Sequence, residues 1–270
     1  MKLKFTVILP IYKKVECKVF RKSFESLINQ TLQPNEIIII FDGPVKNNIK
    51  NYLIEKVKVH KSIKLINFST NRGLGVVLKT AIKRSLYPYI ARCDADDIST
   101  PNRFELQIKF LMKNKNIDVL GSNINEVSNY NLISKKKVYE FHQSICNNIF
   151  YRNPINHSSV IFKKKTILDS GNYENVQYFE DYFLWIKVFL KGGKFHNLQE
   201  YLVNMNVDNN FFKRRSGLNY LKFYYIFVKI LKYRNIITWK IFLFNLMVRT
   251  SVILMPILII KKMYKFFLRS

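Results

Sequence analysis

Cysteine and acidic side chains are both scarce in this chain of 270 residues. The three cysteines, Cys17, Cys93 and Cys146, are odd in number, lie far apart and form no C-x-x-C pair. We therefore predict neither a disulfide framework nor a zinc site, and a reducing compartment is favoured. The N-terminal stretch MKLKFTVILPIY is short, contains Pro10 and lacks a small-residue cleavage site, so it is interpreted as a first β-strand rather than a signal peptide.

The scarcity of acidic residues gives the chain a strong positive charge. Only 18 Asp and Glu oppose 45 Lys and Arg, for a formal net charge of +27. This balance is typical of proteins that bind nucleic acid and equally of proteins that rest on anionic lipid. Coding bias toward AT-rich codons is a third explanation, since Lys, Ile, Asn, Tyr and Phe are abundant together. A hydrophobic content of 48% is enough for a buried core, which excludes a disordered chain.

The first half of the chain alternates apolar runs rich in β-branched residues with amphipathic helical patterns. Uninterrupted apolar strands separated by helices are typical of a parallel sheet covered on both faces. The pattern therefore predicts an α/β layout of the nucleotide-binding kind. Strands are predicted at 5–9, 36–41, 63–68, 89–93 and 118–122, and helices at 17–29, 47–59, 74–85 and 101–113.

Polar residues follow several of these predicted strands. In open α/β sheets, ligands bind beyond the carboxyl ends of the strands, where the loops converge. The sequence therefore predicts one crevice that receives Pro10 and Tyr12 from the first strand, Asp42 from the second and Arg72 from the third. Each residue taken singly is equally consistent with an ordinary turn or helix cap.

The fourth strand leads into IARCDADDIST, residues 90–100, which concentrates Asp94, Asp96 and Asp97 at one point. Two carboxylates at i and i+2 can face one Mg²⁺ or Mn²⁺, with substrate phosphates completing its coordination. Binding to a ribose is the other functional interpretation of Asp94 and Asp96. Asp97 is expected only to cap the helix that is entered through Pro101.

Several stretches, in this order and spacing, resemble the family 2 glycosyltransferases with a GT-A fold. The resemblance is stronger to the bacterial branch that builds exopolysaccharide, capsule or O-antigen repeats. It covers residues 5 to about 217. The stretches are VILPIYKK (7–14), SLINQTLQPNEIIIIFDG (26–43), NRGLGVVLKTAI (71–82), ARCDADDISTPNRFELQIKFL (91–111), NPINHSSVIF (153–162), YFEDYFLWIKVF (178–189) and RRSG (214–217).

The resemblance implies a GT-A domain over residues 1–217 with a mostly parallel central sheet. Residues 1–122 would form the half that binds the nucleotide sugar and residues 123–217 the half that binds the acceptor. The implied activity is an inverting transfer of a sugar from a nucleotide sugar, a UDP sugar above others, to a glycan acceptor. In this branch the acceptor would be a sugar on a polyprenyl-diphosphate carrier.

The resemblance also implies roles for individual residues on the donor side. Pro10 and Tyr12 would line the base pocket, Asp42 would accept a hydrogen bond from uracil, and Arg72 would lie near the nucleotide. Asp94 and Asp96 match the family's D-x-D pair. Asp94 would approach the ribose and Asp96, with Asp94, would hold a divalent Mn²⁺ or Mg²⁺ on the diphosphate. Arg214 and Arg215 would pair with diphosphate oxygens, or else belong to a solvated basic run.

On the acceptor side the resemblance points to Glu180 and Asp181. An inverting displacement needs a carboxylate that takes the proton of the acceptor hydroxyl, and Asp181 is the candidate. Alternatively, both residues only cap the helix that follows them. His157 is equally consistent with a contact to the bound sugars and with a hydrogen-bonded structural residue. Many relatives carry a Tyr-Arg-x-His stretch where this chain has Asp208, which leaves a third metal ligand unassigned.

The last sixty residues differ in character, because residues 209–270 contain no Asp or Glu. A spanning helix needs about 20 mostly apolar residues, and the stretch 236–260 has that length but contains Lys240, Asn245, Arg249 and Pro256. We predict a basic amphipathic helical tail over 218–270 that contacts an anionic membrane. The alternative is a helical hairpin packed on the catalytic domain.

Two other functions are consistent with part of the sequence. A nucleotidyltransferase shares a metal-dependent α/β layout, but LPIYKKVECK lacks the Gly-rich loop expected after its first strand. A nonenzymatic nucleic-acid-binding protein is suggested by charge alone, but it would have no use for Asp42, Asp94, Asp96 and Asp181, which repel phosphate. No specific nucleic acid is therefore expected as a partner. The predicted location is the cytoplasm, at the inner face of the plasma membrane.

Overall fold

The computed structural model describes residues 3–207 and 217–254. The strands are β1 (Phe5–Tyr12), β2 (Glu36–Asp42), β3 (Ile63–Asn67), β4 (Tyr89–Arg92), β5 (Ile98–Ser99), β6 (Val119–Ser128), β7 (Asn131–Lys136), β8 (Ile161–Lys163) and β9 (Phe195–Asn206). The helices are α1 (Cys17–Ile28), α2 (Asn47–Val59), α3 (Leu74–Arg84), α4 (Arg103–Lys113), α5 (His142–Asn148), α6 (Lys164–Asp169), α7 (Glu180–Leu190), α8 (Gly217–Tyr233) and α9 (Trp239–Leu254).

The strands of these residues form one sheet in the order β3-β2-β1-β4-β8-β6-β9-β5, with β7 paired to β6. The first four strands in this order are parallel, and β6 and β9 are parallel as well. Strand β8 joins the two parts through antiparallel pairs with β4 and β6. The predicted α/β fold with its mostly parallel central sheet is confirmed.

Both faces of the sheet are buried, which explains the uninterrupted apolar runs of β1 and β2. Successive side chains of a strand point to opposite faces. Val7 and Ile39 accordingly pack in one core beneath α1, α2 and α4, whereas Ile8 and Ile38 pack in a second core with α3 and α7. A strand that is buried on both sides has no polar face to alternate with its apolar one.

The sequence predicted β1 to β4, the start of β6 and helices α1 to α4 close to their observed bounds, but it missed β5 and assigned few of the later elements. Two details of the predicted part differ from the structure. Strand β1 continues through Pro10 to Tyr12, three residues beyond the predicted end. The expectation that Asp97 caps the next helix is wrong, because α4 begins at Arg103 after Asn102 with no side-chain cap, and Asp97 instead accepts a hydrogen bond from the Asn206 amide. The predicted boundary between residues 122 and 123 lies inside β6, and the division into halves stays a prediction.

The helices α8 and α9 form a hairpin that packs against α7 and the segment around Phe150. The ring of Phe227 is buried and stacks on Phe179 at 4.8 Å between centroids, and it also contacts Tyr182. Asn245 accepts a hydrogen bond from the Tyr224 hydroxyl and donates one to the Phe150 carbonyl. The hairpin alternative therefore describes the first part of the predicted tail, and residues 255–270 lie outside the described part of the chain.

Over residues 3–207 and 217–254, no helix combines the length and the apolar character that crossing a membrane requires.

Replacing Phe227 by Ala is expected to lower the free energy of unfolding by about 3–5 kcal/mol, because a large ring is removed from a packed core. Urea unfolding followed by circular dichroism measures the change. Tyr233→Ala is the control, since Tyr233 on the same helix is 86% exposed; its effect should stay within about 0.5 kcal/mol. A loss below about 1 kcal/mol for Phe227→Ala would mean that the hairpin is not part of the cooperative unit.

Candidate active site

One cavity of about 1140 Å³ opens at the carboxyl ends of β1, β2 and β4. The predicted site residues that it collects are Pro10, Tyr12, Asp42, Arg72, Asp94, Asp96, His157, Glu180 and Asp181. Residues that are more than 170 positions apart in sequence therefore line the same cavity. The predicted convergence of strand ends is found, with contributions from α7 and from the hairpin α8–α9 that extend the crevice into a deep site.

Asp42 organises the loop that follows β3. Its carboxylate accepts hydrogen bonds from the Arg72 amide at 2.6 Å, the Gly73 amide at 3.2 Å and the Asn71 side chain at 2.9 Å. The neighbouring Gly43 has φ +83°, and a Cβ there would lie 2.8 Å from the Asn71 nitrogen. Only glycine allows the two loops to approach this closely. Asp42 thus positions the loop, and its contact with a base stays a prediction.

Two further residues line the same end of the cavity. Tyr12 is opposite Asp42 in the parallel register of β1 and β2 and is 42% exposed. The Arg72 guanidinium lies over the Phe68 ring, 5.6 Å from its centroid. An aromatic ring and a guanidinium plane at the edge of a crevice suit the binding of a planar, anionic ligand.

Asp94 is held by Arg92, two residues before it. Both oxygens of Asp94 are engaged by the Arg92 guanidinium in a forked ion pair, and the Arg92 side chain is buried. Burial opposes the charge of Arg92, but the nearby carboxylates, Asp94 first, outweigh it and raise the pKa of this guanidinium. The pairing fixes Asp94 in place. Its metal and ribose roles stay predictions.

Asp97 is a buried carboxyl with a single hydrogen bond. Its Oδ1 accepts from the Asn206 amide at 2.9 Å, while its buried Oδ2 has no hydrogen-bond partner among the described residues. Burial, followed by the charges of Asp94 and Asp96, raises the pKa of Asp97 well above its usual value. The cluster thus concentrates more negative charge than Arg92 alone neutralises, which is an arrangement that attracts a cation.

Asp96 is the member of the cluster that is exposed to the cavity. In residues 3–207 and 217–254, no group of three or more His, Cys, Asp or Glu side chains is arranged to hold a metal ion. Mg²⁺ and Mn²⁺ sites that share their cation with substrate phosphates need only one or two protein carboxylates. Asp96, with Asp94 beside it and the orphaned oxygen of Asp97 behind it, fits this second kind of site.

Glu180 and Asp181 lie in the first turn of α7 and line the same cavity. Burial raises the pKa of Asp181, against the opposing effect of hydrogen bonds from Asn153, at 2.8 Å, and from the Tyr182 amide. Burial also raises the pKa of Glu180 to about 7, and the charge of Asp181 adds to this effect. Two carboxyls with raised pKa values in a cleft are typical of proton-transfer sites.

His157 is hydrogen bonded within the wall of the cavity. Its Nε2 lies 2.7 Å from the Tyr173 hydroxyl, and its ring meets the Trp185 indole edge to face. Burial, and then the charge of Arg92, lowers the pKa of His157 well below its usual value, so the ring is neutral. The structural role of His157 is thus visible, and contact with bound sugars stays a prediction. Arg214, Arg215 and Asp208 lie outside the described residues.

Comparison with known proteins identifies the family. The model of "Glycosyl transferase family 2" matches residues 6–169. The chain belongs to glycosyl transferase family 2. Over 99% of its length it is 34% identical to an uncharacterised glycosyltransferase of Haemophilus influenzae, of which it covers 100%. It is also 34% identical, over 94% of its length and 92% of the relative, to the UDP-Gal:alpha-D-GlcNAc-diphosphoundecaprenol beta-1,3-galactosyltransferase of Escherichia coli.

Solved structures of this fold match most of the glycosyltransferase. S. aureus TarS in complex with UDP-GlcNAc superimposes with a TM-score of 0.66 at 18% identity, covering 85% of this chain and 67% of TarS. The mannosyltransferase PcManGT from Pyrobaculum calidifontis, in complex with GDP-Man and Mn²⁺, gives a TM-score of 0.64 at 13% identity, covering 88% and 66% of the two chains. The predicted GT-A fold and family are confirmed, which removes the nucleotidyltransferase and the nucleic-acid-binding protein as alternatives.

Sequence reasoning missed three residues that shape the glycosyltransferase site. Arg92 carried a signal, because residues i and i+2 at a strand end share a face and Arg92 precedes Asp94 by two. Asn153, which donates to Asp181, lies in the stretch NPINHSSVIF (153–162), but nothing in the neighbouring sequence indicates this role. Arg249 reaches the cavity only because the hairpin folds back over it.

The raised pKa of Glu180 predicts a stability that falls as pH rises. Between about 4.5 and about 7 the folded state keeps a proton on Glu180 that the unfolded state releases, so the free energy of unfolding decreases through this window. The difference corresponds to about 3 kcal/mol. We expect Glu180→Gln to flatten the pH dependence by up to this amount, measured by urea unfolding from pH 4.5 to 7.5. Glu200→Gln, at an exposed position, is the control, and parallel curves for wild type and Glu180→Gln would contradict the prediction.

Proposed function

We propose that this glycosyltransferase is an inverting, metal-dependent hexosyltransferase that moves a sugar from a UDP sugar to a lipid-linked sugar in surface polysaccharide synthesis. The observation that carries the proposal is the placement of two acidic groups in one cavity. The cluster around Asp96 follows the end of β4, Asp181 lies at the start of α7, and both line the same cavity. The Asp96 cluster is suited to binding a cation together with a diphosphate, and Asp181 is suited to accepting a proton.

Asp181 would act as the general base. In a single displacement the acceptor oxygen bonds to the anomeric carbon, its proton passes to the Asp181 carboxylate, and the bond to the phosphate oxygen breaks with its electrons on the nucleoside diphosphate. A carboxylate with a raised pKa is a stronger proton acceptor than an ordinary aspartate. Asn153 orients the Asp181 carboxylate for this transfer, and Glu180 keeps a raised pKa beside it.

The donor would lie against the ends of β1, β2 and β4. Pro10 and Tyr12 would contact the base, and Asp42 has one acceptor position left for the uracil ring beyond the three that its loop uses. A Mn²⁺ or Mg²⁺ held by Asp96 and Asp94 would neutralise the charge of the leaving diphosphate. The complexes of TarS with UDP-GlcNAc and of PcManGT with Mn²⁺ support this choice of donor and metal.

The acceptor would be a sugar on a polyprenyl diphosphate, as the name of the Escherichia coli relative suggests. Such an acceptor is anchored in the membrane, so the enzyme must meet the cytoplasmic leaflet. A net charge of +27 favours contact with anionic lipid. We therefore propose that the enzyme is cytoplasmic and binds the inner face of the plasma membrane peripherally, through its C-terminal region.

The test is isothermal titration of UDP, GDP and dTDP into the full chain with Mn²⁺ or with EDTA. We expect UDP to bind only with Mn²⁺ and at least about tenfold more tightly than GDP, because Asp42 matches the uracil edge. UDP sugars would then be screened on lipid-linked GlcNAc, with the anomeric configuration of the product read by NMR. Failure of all three nucleotides to bind a folded protein would overturn the proposal.

A further inference from the structure

Helix α9 carries apolar side chains on its buried face and on its exposed face. Phe242 and the polar Asn245, which is 5% exposed, face the protein, whereas the apolar side chains of Leu243 and Met247 are 60% and 62% exposed. A surface helix normally buries its apolar stripe and exposes its polar residues. Apolar side chains on the outer face are expected where that face meets an apolar ligand or a lipid.

One edge of this apolar surface continues into the active-site cavity. Phe244 and Val248 are partly exposed, at 46% and 44%, and also line the cavity. Leu243 and Met247 do not line it. The Phe244 ring packs edge to face on Tyr151, with centroids 5.7 Å apart. Phe244 and Val248 therefore connect the exposed apolar surface of α9 to the cavity.

The segment 150–153 connects α9 directly to the candidate base. Phe150 accepts a hydrogen bond from Asn245, Tyr151 packs on Phe244, and Asn153 donates to Asp181. Arg152 lies between these contacts and lines the cavity. Because neighbouring Cα atoms are about 3.8 Å apart, the backbone of Arg152 is within one residue of the group that holds the base.

A second arginine approaches from α9. The Arg249 guanidinium lies 5.2 Å and 5.0 Å from the ring centroids of Tyr220 and Tyr224, and it donates to the Tyr220 hydroxyl at 3.0 Å. Arg249 also lines the cavity. Stacking on two rings fixes the plane of the guanidinium, and a fixed planar fork is the geometry that recognises phosphate.

We propose that Arg249 and Arg152 bind the diphosphate of the lipid-linked acceptor, and that Phe244, Val248 and Tyr151 bind the first isoprene units of its chain. The inference rests on the proposed function, because the acceptor class comes from there. In such an acceptor the reacting sugar is attached directly to the diphosphate. A diphosphate site near segment 150–153 therefore places that sugar against Asp181, and the exposed apolar face of α9 receives the hydrocarbon that follows.

The test uses farnesyl diphosphate as a probe, titrated calorimetrically into the full chain below its critical micelle concentration. Titrations are made with EDTA alone and with saturating UDP and Mn²⁺, so that binding in the donor half is recognised by competition. We expect binding in both conditions, and at least about tenfold weaker binding by Arg249→Gln, because a charge-assisted contact is lost. Farnesol and inorganic pyrophosphate, each lacking one half of the probe, should bind more weakly than the intact molecule.

Matched variants separate this site from a general membrane surface. Lys240→Gln removes the same charge from an exposed position of α9 and should bind the probe as wild type does. Phe244→Ser should weaken probe binding, whereas Leu243→Ser should not, although both remove an exposed apolar side chain from one helix. Equal losses for the last two variants would indicate nonspecific lipid contact and would overturn the inference.

Two further outcomes decide between the inference and the function on which it rests. If UDP binds with Mn²⁺ but the probe does not bind, or binds Arg249→Gln as tightly as wild type, the inference fails and the proposed function stands. If UDP fails to bind while the probe binding depends on Arg249, the proposed donor chemistry fails and the anionic-lipid site stands. Thermal unfolding of each variant, with Arg249→Lys as the charge-retaining form, shows whether a loss reflects misfolding.

Discussion

Asp181→Asn is expected to lower kcat by about 10²- to 10⁴-fold while leaving the affinity for UDP within about twofold of wild type. The amide has nearly the shape of the carboxylate and can still pair with Asn153, which donates to Asp181 at 2.8 Å. The oxygen of the amide is not basic enough to take a proton from the acceptor hydroxyl. The change therefore removes proton transfer and leaves the proposed donor residues at the ends of β1, β2 and β4 unaltered.

Sugar transfer to lipid-linked GlcNAc measures kcat, and calorimetric titration of UDP with Mn²⁺ measures the affinity. Asp169→Asn provides the matched control, because this aspartate is exposed at the end of α6 and pairs with Lys165. Its kcat should equal that of wild type. If Asp181→Asn retains more than about a tenth of wild-type kcat, another group takes the proton and Asp181 has only a structural role in the first turn of α7.

Asp96→Asn is expected to abolish the dependence of UDP binding on Mn²⁺, weakening the affinity measured with Mn²⁺ to the value measured with EDTA. Asp96 is the carboxylate of the cluster that is exposed to the cavity, whereas Asp94 is engaged by Arg92 at both oxygens. An amide oxygen is a much poorer ligand for a hard cation than a carboxylate. Loss of the cation leaves the diphosphate facing the remaining acidic groups, so transfer should also fall at least about 100-fold.

The Asp181→Asn protein is the control for this second experiment, because it should keep Mn²⁺-dependent UDP binding. The two variants together separate binding from chemistry. An Asp96→Asn protein that binds UDP with Mn²⁺ as tightly as wild type would remove Asp96 from the metal site. Asp94 or Asp97 would then be the carboxylate that holds the cation. The same titration on Asp97→Asn would distinguish these two residues.

The fold was largely predictable from local patterns. The apolar runs around Ile8 and Ile38 could only be strands buried on both faces, and α2 has the bounds that its periodicity predicts. The residues of the donor side were also predictable, because strand ends in a parallel sheet converge whatever the details of the loops. Errors occurred where a polar side chain had a choice of partners, as for Asp97, which bonds the distant Asn206 amide instead of the nearby helix.

The site beyond the donor side was not predictable in the same way. Asn153 and Asp181 meet across 28 positions, and Asn245 and Phe150 across 95. No periodicity links such pairs, since their contact depends on how whole elements pack. The exposed apolar face of α9 was hidden for the same reason. Its composition indicated a basic amphipathic helix, but the face that it presents to the protein is fixed only by docking against Phe150 and Tyr224.

The sequence by itself determined the family, the order of strands and helices over its first half, and the acidic and aromatic residues that line the cavity. These properties are local, because they depend on residue type, spacing and periodicity along a few turns or strands. Only the tertiary structure decided which carboxylates are paired and which face the cavity, and that the hairpin α8–α9 completes the site. Those properties depend on burial and on partners far away in sequence, and burial is what sets both the pKa of Glu180 and the side of α9 that meets solvent.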